Sequence, residues 1–316
     1  MDLLHNTTVA INETNMNYSS LSLSIVMIIE MIVGLPANTV ALWIFCFRIK
    51  CWKPHTLFLF NLVLADFLLL ISVPFRINNY LRGDWVFGSV WCRINLFMLA
   101  VNRSASIAFM TAVALNRYFM VVHPHHYISH LTLTQVGWLA GLMWTVVIAL
   151  RIPLVANDLL HTDGKVSLCR SFHSYKIIPL SIKVYYVAFT AEVILPWFLL
   201  LFCSGQIAFH LHQRRMDRQK RVRRAIRAVW VISLVFTICF MPSILTGLGG
   251  VYIKYFHPMD KTSYMLITKL FEMCVGFTYL NSALDPVIYS FSSSSFRDAL
   301  RHRSFVNKNV RSANNH

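Results

Sequence analysis

An all-α fold is predicted, a seven-transmembrane helix bundle followed by a short amphipathic helix, and three observations predict it. Hydrophobic residues make up 56% of the 316-residue chain and charged residues only 13%, with a mean hydropathy of +0.55, outside the range of soluble globular domains. Seven apolar stretches each reach the roughly 20 residues that cross a hydrocarbon core as helix. The breaks between them carry turn residues or charge.

The stretches run over about 22–48, 57–81, 90–122, 134–154, 181–211, 225–252 and 263–291. They divide the chain into a polar segment 1–21, a membrane domain 22–293 and a basic segment 294–316. Positive charge collects in three of the intervening segments. Arg48, Lys50 and Lys53 follow the first span; Arg214, Arg215, Arg218, Lys220, Arg221, Arg223 and Arg224 precede the sixth; Arg297, Arg301, Arg303, Lys308 and Arg311 follow the seventh. Basic loops stay cytoplasmic, so the N-terminus is expected outside. The sequons at Asn6, Asn12 and Asn17 agree, because glycosylation happens only on the lumenal side. No cleavable signal peptide is visible, and the first span is expected to act as signal anchor in the plasma membrane. The net charge of +16 is explained by this sorting, which removes nucleic acid as an expected partner; membrane lipids replace it.

Among seven cysteines, Cys46, Cys203, Cys239 and Cys274 fall within spans, and Cys51 borders the cytoplasm, where disulfides are rare. Cys92 and Cys169 are left as the pair in the oxidising compartment and are expected to be bonded.

Several motifs resemble those of rhodopsin-class G-protein-coupled receptors over about 22–303. Asn38 lies in the first span and Asn61-Leu-Val-Leu-Ala-Asp66 in the second. Asn116-Arg117-Tyr118 closes the third, Trp144 sits in the fourth and Pro196 in the fifth. Cys239-Phe-Met-Pro242 and Asp285-Pro286-Val-Ile-Tyr289 mark the sixth and seventh. The resemblance implies that Arg117, Tyr118, Pro242, Pro286 and Tyr289 serve activation and G-protein coupling. Pro242 and Pro286 also kink their helices on purely steric grounds, which gives the bundle places to swing. Asn116 replaces the aspartate usual in the class, removing the ionic restraint on Arg117, so raised basal activity is expected. Arg117 alone also reads as a terminal arginine snorkelling to the interface.

Asp66 is an acid within an apolar helix, costly unless a proton, a cation or donors compensate it. By resemblance, Ser106, Asn281, Ser282 and Asp285 surround it and hold an allosteric sodium ion; a protonated, water-bridged acid is the alternative. No other cofactor or metal is expected. Residues 294–305 place apolar side chains against a basic face at helical spacing, which reads as a helix on the inner leaflet. Segment 294–316 has no cysteine for the palmitoyl anchor common in the class.

Arg103, half way along the third span, is the most informative residue. A guanidinium keeps its charge in proteins and matches carboxylate geometry, and intramembrane charges are functional by default. Arg103 therefore takes either an acidic ligand or a structural partner, Glu192 or Glu30. Arg76 lies beyond Asp66 toward the outer face of the second span. Arg151 and Lys183 are expected to snorkel or to steer anions.

The runs Leu96-Phe-Met-Leu-Ala-Val-Asn102-Arg103-Ser-Ala-Ser, His123-Pro-His-His126 and Phe277-Thr-Tyr279-Leu-Asn-Ser282 are similar to the cluster of hydroxycarboxylic acid, oxoeicosanoid and hydroxyeicosatetraenoic acid receptors. That likeness implies a carboxylate anchor at Arg103, a pocket shared with Arg76, Tyr279, Ser171, Phe172 and Asn79, and coupling to inhibitory Gi/o proteins. Gly247 stands where nicotinate-type members have another arginine, and the N-terminal segment lacks their extra cysteines. Thr111-Ala-Val-Ala-Leu-Asn-Arg117 is closer to the oxoeicosanoid receptor. An oxo- or hydroxy-fatty acid is thus expected over a small hydroxycarboxylic acid such as lactate, hydroxybutyrate or nicotinate.

Other classes fit less well. An opsin needs a Schiff-base lysine deep in the seventh span, and Lys269 is too near its outer end. No nucleophile motif or metal-ligand spacing marks an enzyme; His123, His125, His126 and His130 share a cytoplasmic loop. No internal repeat with broken helices points to a transporter.

Overall fold

The computed structural model describes residues 2–49, 52–156, 160–163, 166–169, 180–214, 220–257, 259–293 and 296–297. Seven long helices follow one another: α1 Asp2–Phe47, α2 Pro54–Arg82, α3 Gly88–Val122, α4 Leu133–Ala156, α5 Leu180–Arg214, α6 Lys220–Phe256 and α7 Lys261–Ser292. Six of the expected spans fall inside them, and the first ends one residue past α1. Helix α1 begins within the polar segment, so residues 2–21 continue the first span as helix. One addition to the all-α prediction is a hairpin between α4 and α5, with β1 Leu160–Asp163 antiparallel to β2 Val166–Cys169 in the register Leu160 to Cys169.

Six described helices are long and apolar enough to cross a membrane by themselves. The seventh, α7, is not among them, because Thr278, Asn281, Ser282 and Asp285 dilute its hydropathy. All four are buried, so the bundle rather than the lipid receives these polar groups. Side chains such as Ile32, Trp138, Leu195 and Leu245 are more than half exposed, as the lipid-facing surface of a span requires.

Helix ends follow local chemistry. Pro54 starts α2, where its missing N–H costs nothing. Gly83 ends it at φ 67°, a left-handed conformation that lets its N–H reach the Asn79 carbonyl at 2.9 Å. Asp260 caps α7 by accepting from the Ser263 N–H at 3.0 Å.

Within a bilayer, helices are held by packing and interhelical hydrogen bonds, each worth about 0.6 kcal/mol. Asparagines supply several of these. Asn38 donates to the Ser282 carbonyl at 2.7 Å and ties α1 to α7; Asn95 donates to Ser72 and Asn102 to Ala65, at 2.8 and 2.6 Å, tying α3 to α2. Trp144 donates from Nε1 to Asn61 Oδ1 at 2.9 Å, linking α4 to α2. The central core runs through Phe45, Phe58, Phe109, Phe236, Phe240 and Tyr289. A smaller cluster of Leu23, Met27, Leu69, Val73, Leu99 and Tyr279 lies toward the hairpin end.

The expected disulfide is present. Cys92 at the start of α3 bonds Cys169 in β2, with Cα atoms 5.7 Å apart. The Ser167 N–H donates to Asp84 Oδ1 at 2.7 Å and the Trp85 N–H to the Ser167 carbonyl at 2.8 Å, so β2 is also stitched to the loop after α2.

Of the amphipathic helix expected after the last span, only Phe296 and Arg297 are described. Phe296 is buried 5.6 Å from the Phe45 ring and 6.0 Å from Tyr289, and Arg297 donates to the Ser290 carbonyl at 2.7 Å.

Candidate functional site

Three polar layers stack along the bundle, from the hairpin end to the opposite end. In the first, Arg76 is buried in α2; its Nη1 donates to the Cys169 carbonyl at 3.0 Å and its Nη2 to the Tyr80 hydroxyl at 3.3 Å. Tyr279 of α7, also buried, packs with Leu99, one turn before Arg103 on α3. Its hydroxyl lies within electrostatic reach of Arg76, Arg103 and Glu30. The Arg103 guanidinium stacks over the Phe189 ring of α5, 4.0 Å from its centroid, a cation–π contact. Its Nε is buried with no hydrogen-bond partner among the described residues. Asn79 lies near the end of α2, its Oδ1 likewise buried without a partner there. Ser171 and Phe172, the remaining expected pocket residues, lie outside the described residues, as does the side chain of Lys183. At Gly247 an added Cβ would meet the Phe271 ring at 3.2 Å, so a larger side chain there must displace that ring.

Two expectations about the charges are corrected. Arg151 does not snorkel: it is fully buried on α4, ion-paired with Glu192 of α5, and its Nε donates to Ser104 Oγ at 2.9 Å. Glu192 is therefore not the partner of Arg103. Helix α4 is apolar all round, so its sequence hides which face turns inward, and Arg151 turns inward because an acid and a hydroxyl await it. A 520 Å³ crevice between α3, α4 and α5, lined by Ile107, Leu142, Val146, Leu195 and Pro196, opens beside this triad, with Glu192 at its wall.

The second layer centres on Asp66, fully buried. Its Oδ1 accepts from Ser282 Oγ and its Oδ2 from the Tyr289 hydroxyl, each at 2.8 Å. Asp285 lies within electrostatic reach of Asp66, and Asn281 Nδ2 donates to Asp285 Oδ2 at 3.0 Å. Ser106 Oγ, Asn281 Oδ1 and Asp285 Oδ1 are buried without hydrogen-bond partners in the described structure. Two adjacent carboxylates cannot both ionise in such a place without a cation or a shared proton. The oxygen-only donor set, with three orphaned oxygens, fits a hard monovalent or divalent ion and offers no soft ligand. Asn102, one residue before Arg103, also contacts Asp66, a neighbour that sequence reading did not assign. Tyr289, expected only as a switch residue, is part of this cluster.

The third layer lies at the far end. Arg117 donates to the Ser292 carbonyl at the end of α7. Asn116 is buried beside it on α3, its Oδ1 without a partner in the described structure, so it does not take the aspartate's role of holding Arg117. The Tyr118 hydroxyl meets His123 Nε2 at 3.2 Å, and the His126 ring stacks on Phe119 and caps the turn at Tyr127–His130. These histidines shape the loop. Pro242 and Pro286 lie inside α6 and α7.

An apolar-walled bundle with a cationic layer at one end, a buried acid cluster in the middle and a terminal arginine at the other is the arrangement of a multi-pass transmembrane receptor. Residues 37–289 match the family described as 7 transmembrane receptor (rhodopsin family), and the chain belongs to that family of G-protein-coupled receptors. Hydroxycarboxylic acid receptor 2 of Rattus norvegicus is 43% identical over 270 residues, covering 85% of this chain and 74% of the relative. Oxoeicosanoid receptor 1 of Homo sapiens is 38% identical over 284 residues, 90% of this chain and 72% of that one. The 12-(S)-hydroxy-5,8,10,14-eicosatetraenoic acid receptor of Mus musculus is 36% identical over 279 residues, 86% and 85% respectively. The chain is thus a receptor and not an enzyme, a multi-pass protein of the plasma membrane.

Proposed function

We propose that the chain is a receptor for a carboxylate-bearing lipid, an oxo- or hydroxy-fatty acid, that signals through inhibitory Gi/o proteins to lower cAMP. One observation carries this reading: Arg103, a charge in the bundle interior, stacks on Phe189 with its Nε unpartnered among the described residues, while Glu192 is bound to Arg151. A partly buried guanidinium with its Nε in that state asks for an anion, and the fork of Arg103 suits a carboxylate. Arg76 and Tyr279 supply further donors at the same chamber. The apolar neighbours Leu69, Val73 and Leu99 favour a ligand with a hydrocarbon tail. The basic segments at the Arg117 end support an orientation with the disulfide and the glycosylation sequons outside.

A small hydroxycarboxylic acid is the second reading, favoured by the higher identity to the hydroxycarboxylic acid receptor than to the oxoeicosanoid receptor. Asp66, Ser106, Asn281 and Asp285 would hold a sodium ion that stabilises the resting bundle, the chemistry being charge neutralisation of paired carboxylates. Inhibition of stimulated cAMP is measured in cells against a panel of hydroxy and oxo fatty acids, lactate, hydroxybutyrate and nicotinate, with and without Arg103→Ala and with and without pertussis toxin. Loss of the response in the variant and with the toxin is expected. Undiminished potency in Arg103→Ala would sink the carboxylate anchor.

A further inference from the structure

Burying Arg151 is costly, and its pairing with Glu192 returns little of that cost as net stability; what a buried pair can fix is which elements meet and in what register. Its bonds reach two other helices. Nε and Nη2 both donate to Ser104 Oγ of α3, the first at 2.9 Å, and Nη2 also donates to Glu192 Oε2 of α5. One planar group on α4 thus bridges α3 to α5. Because the guanidinium is rigid, it sets the spacing of its two acceptors as well as holding them.

This bridge lies beside the Arg103 stack. Ser104 follows Arg103 on α3, and Glu192 lies three residues, about one turn, beyond Phe189 on α5. Alternate helices of the bundle run the same way, so Ser104 is deeper than Arg103 and Glu192 is deeper than Phe189. The two contacts between α3 and α5 therefore follow one another in matching order. Ser104 and Arg151 are fully buried and Phe189 is nearly so, which keeps lipid and water from competing for them. The stack cannot fix its own register, since the Arg103 side chain is long and a ring face accepts a cation over a broad area. The guanidinium now sits 4.0 Å from the Phe189 centroid. A slip of α5 by one turn, ~5.4 Å, would carry the ring beyond the roughly 6 Å over which a cation is held.

Resting on the reading of Arg103 as carboxylate anchor, we propose that Arg151 is a positioning residue for ligand binding: by bridging Ser104 to Glu192 it fixes the register of α3 against α5 and so holds the Arg103 guanidinium over Phe189. It acts through Arg103 and touches no ligand itself.

The test separates register from stability. Full-length receptor in lipid nanodiscs carries 4-fluorophenylalanine at position 189, whose fluorine resonance reports a cation on the ring. Arg103→Met moves the resonance and marks the position of a bare ring. Arg151→Met with Glu192→Leu strands no charge and keeps most of the wild-type Tm, yet moves the resonance to that same position. Ser104→Ala leaves the ion pair intact and releases only α3, so it moves the resonance part way; it decides the matter if the double variant does not fold. Glu192→Gln keeps an oxygen for the guanidinium and stays near wild type. Asn38→Ala cuts the tie between α1 and α7 and lowers the Tm without moving the resonance. In cells at matched surface expression, the double variant loses roughly tenfold in potency for cAMP inhibition by 12-(S)-hydroxy-5,8,10,14-eicosatetraenoic acid, in parallel with Arg103→Ala. A wild-type resonance in the double variant overturns the proposal, as does an equal shift in Asn38→Ala or no shift in Arg103→Met. Wild-type potency in the double variant where Arg103→Ala has lost it also overturns it. Failure of the anchor reading looks different: the acid is without effect on the wild type, or Arg103→Ala responds as well as wild type, while the resonance still moves with Arg151.

Discussion

Breaking the Arg151–Glu192 pair should destabilise the receptor far more than replacing it whole. Arg151 is fully buried, while Glu192 keeps 16% of its side chain exposed, and Ser104 shares the guanidinium. Arg151→Met strands Glu192 in an apolar wall, which costs about 3–5 kcal/mol, nearer the lower end because water reaches part of the acid. At roughly 2–4 °C per kcal/mol for a large domain, that is a fall in Tm of roughly 10 °C. Arg151→Met with Glu192→Leu removes both charges, and apolar packing recovers most of the loss. Purified receptor is heated with a thiol-reactive fluorophore, which reports exposure of the buried Cys203 and Cys239. The two single variants and the double variant form a cycle with a coupling energy of about 3 kcal/mol. A double variant as unstable as the sum of the singles would refute the reasoning, since the pair would then be an accident of proximity.

Asn116→Asp should lower basal nucleotide exchange on a reconstituted G protein, because a carboxylate beside Arg117 adds a restraint to its contact with the Ser292 carbonyl; equal or higher basal exchange counts against it. Replacing choline with sodium should raise the Tm of the wild type and leave Asp66→Asn unmoved; an equal sodium shift in both places the ion elsewhere. The bond from the Ser263 N–H holds the Asp260 carboxyl below its ordinary pKa. A carboxyl lowered in the folded state adds stability above its unfolded pKa and loses it as pH falls through the folded one. Hydrogen exchange at the start of α7 should thus be slower in wild type than in Asp260→Ala at neutral pH, and the difference should vanish in acid. A difference that persists in acid would show that the cap is not ionic.

The spans were legible because a bilayer demands about 20 apolar residues whatever the fold around them, and the disulfide because topology left only one pair of cysteines in the oxidising compartment. Asp66, Ser282 and Asp285 were legible as members of a motif, and the structure brings them together. Arg151 was not, since helix α4 shows no polar face and a lone arginine near its end reads equally as snorkelling or inward-facing. Glu192 stayed open as an alternative partner of Arg103 for the same reason: sequence gives an acid's depth but not its direction around the helix axis. The hairpin escaped notice because Leu160–Asp163 and Val166–Cys169 are each four residues long, too short to show alternation. Phe189 carried no signal at all, as an aromatic ring in a span is ordinary until a guanidinium is found resting on it.

The bond from Arg76 to the Cys169 carbonyl joins two functions that are usually considered apart. The disulfide holds Cys169, and through that carbonyl it also holds one of the chamber's two positive charges. An anion that draws Arg76 toward itself competes with a peptide oxygen of the covering strand, so occupancy is felt as slack in the cover. Reducing the disulfide, conversely, would loosen the charge as well as the loop. The staple therefore fixes the place of a buried charge as well as the place of a strand.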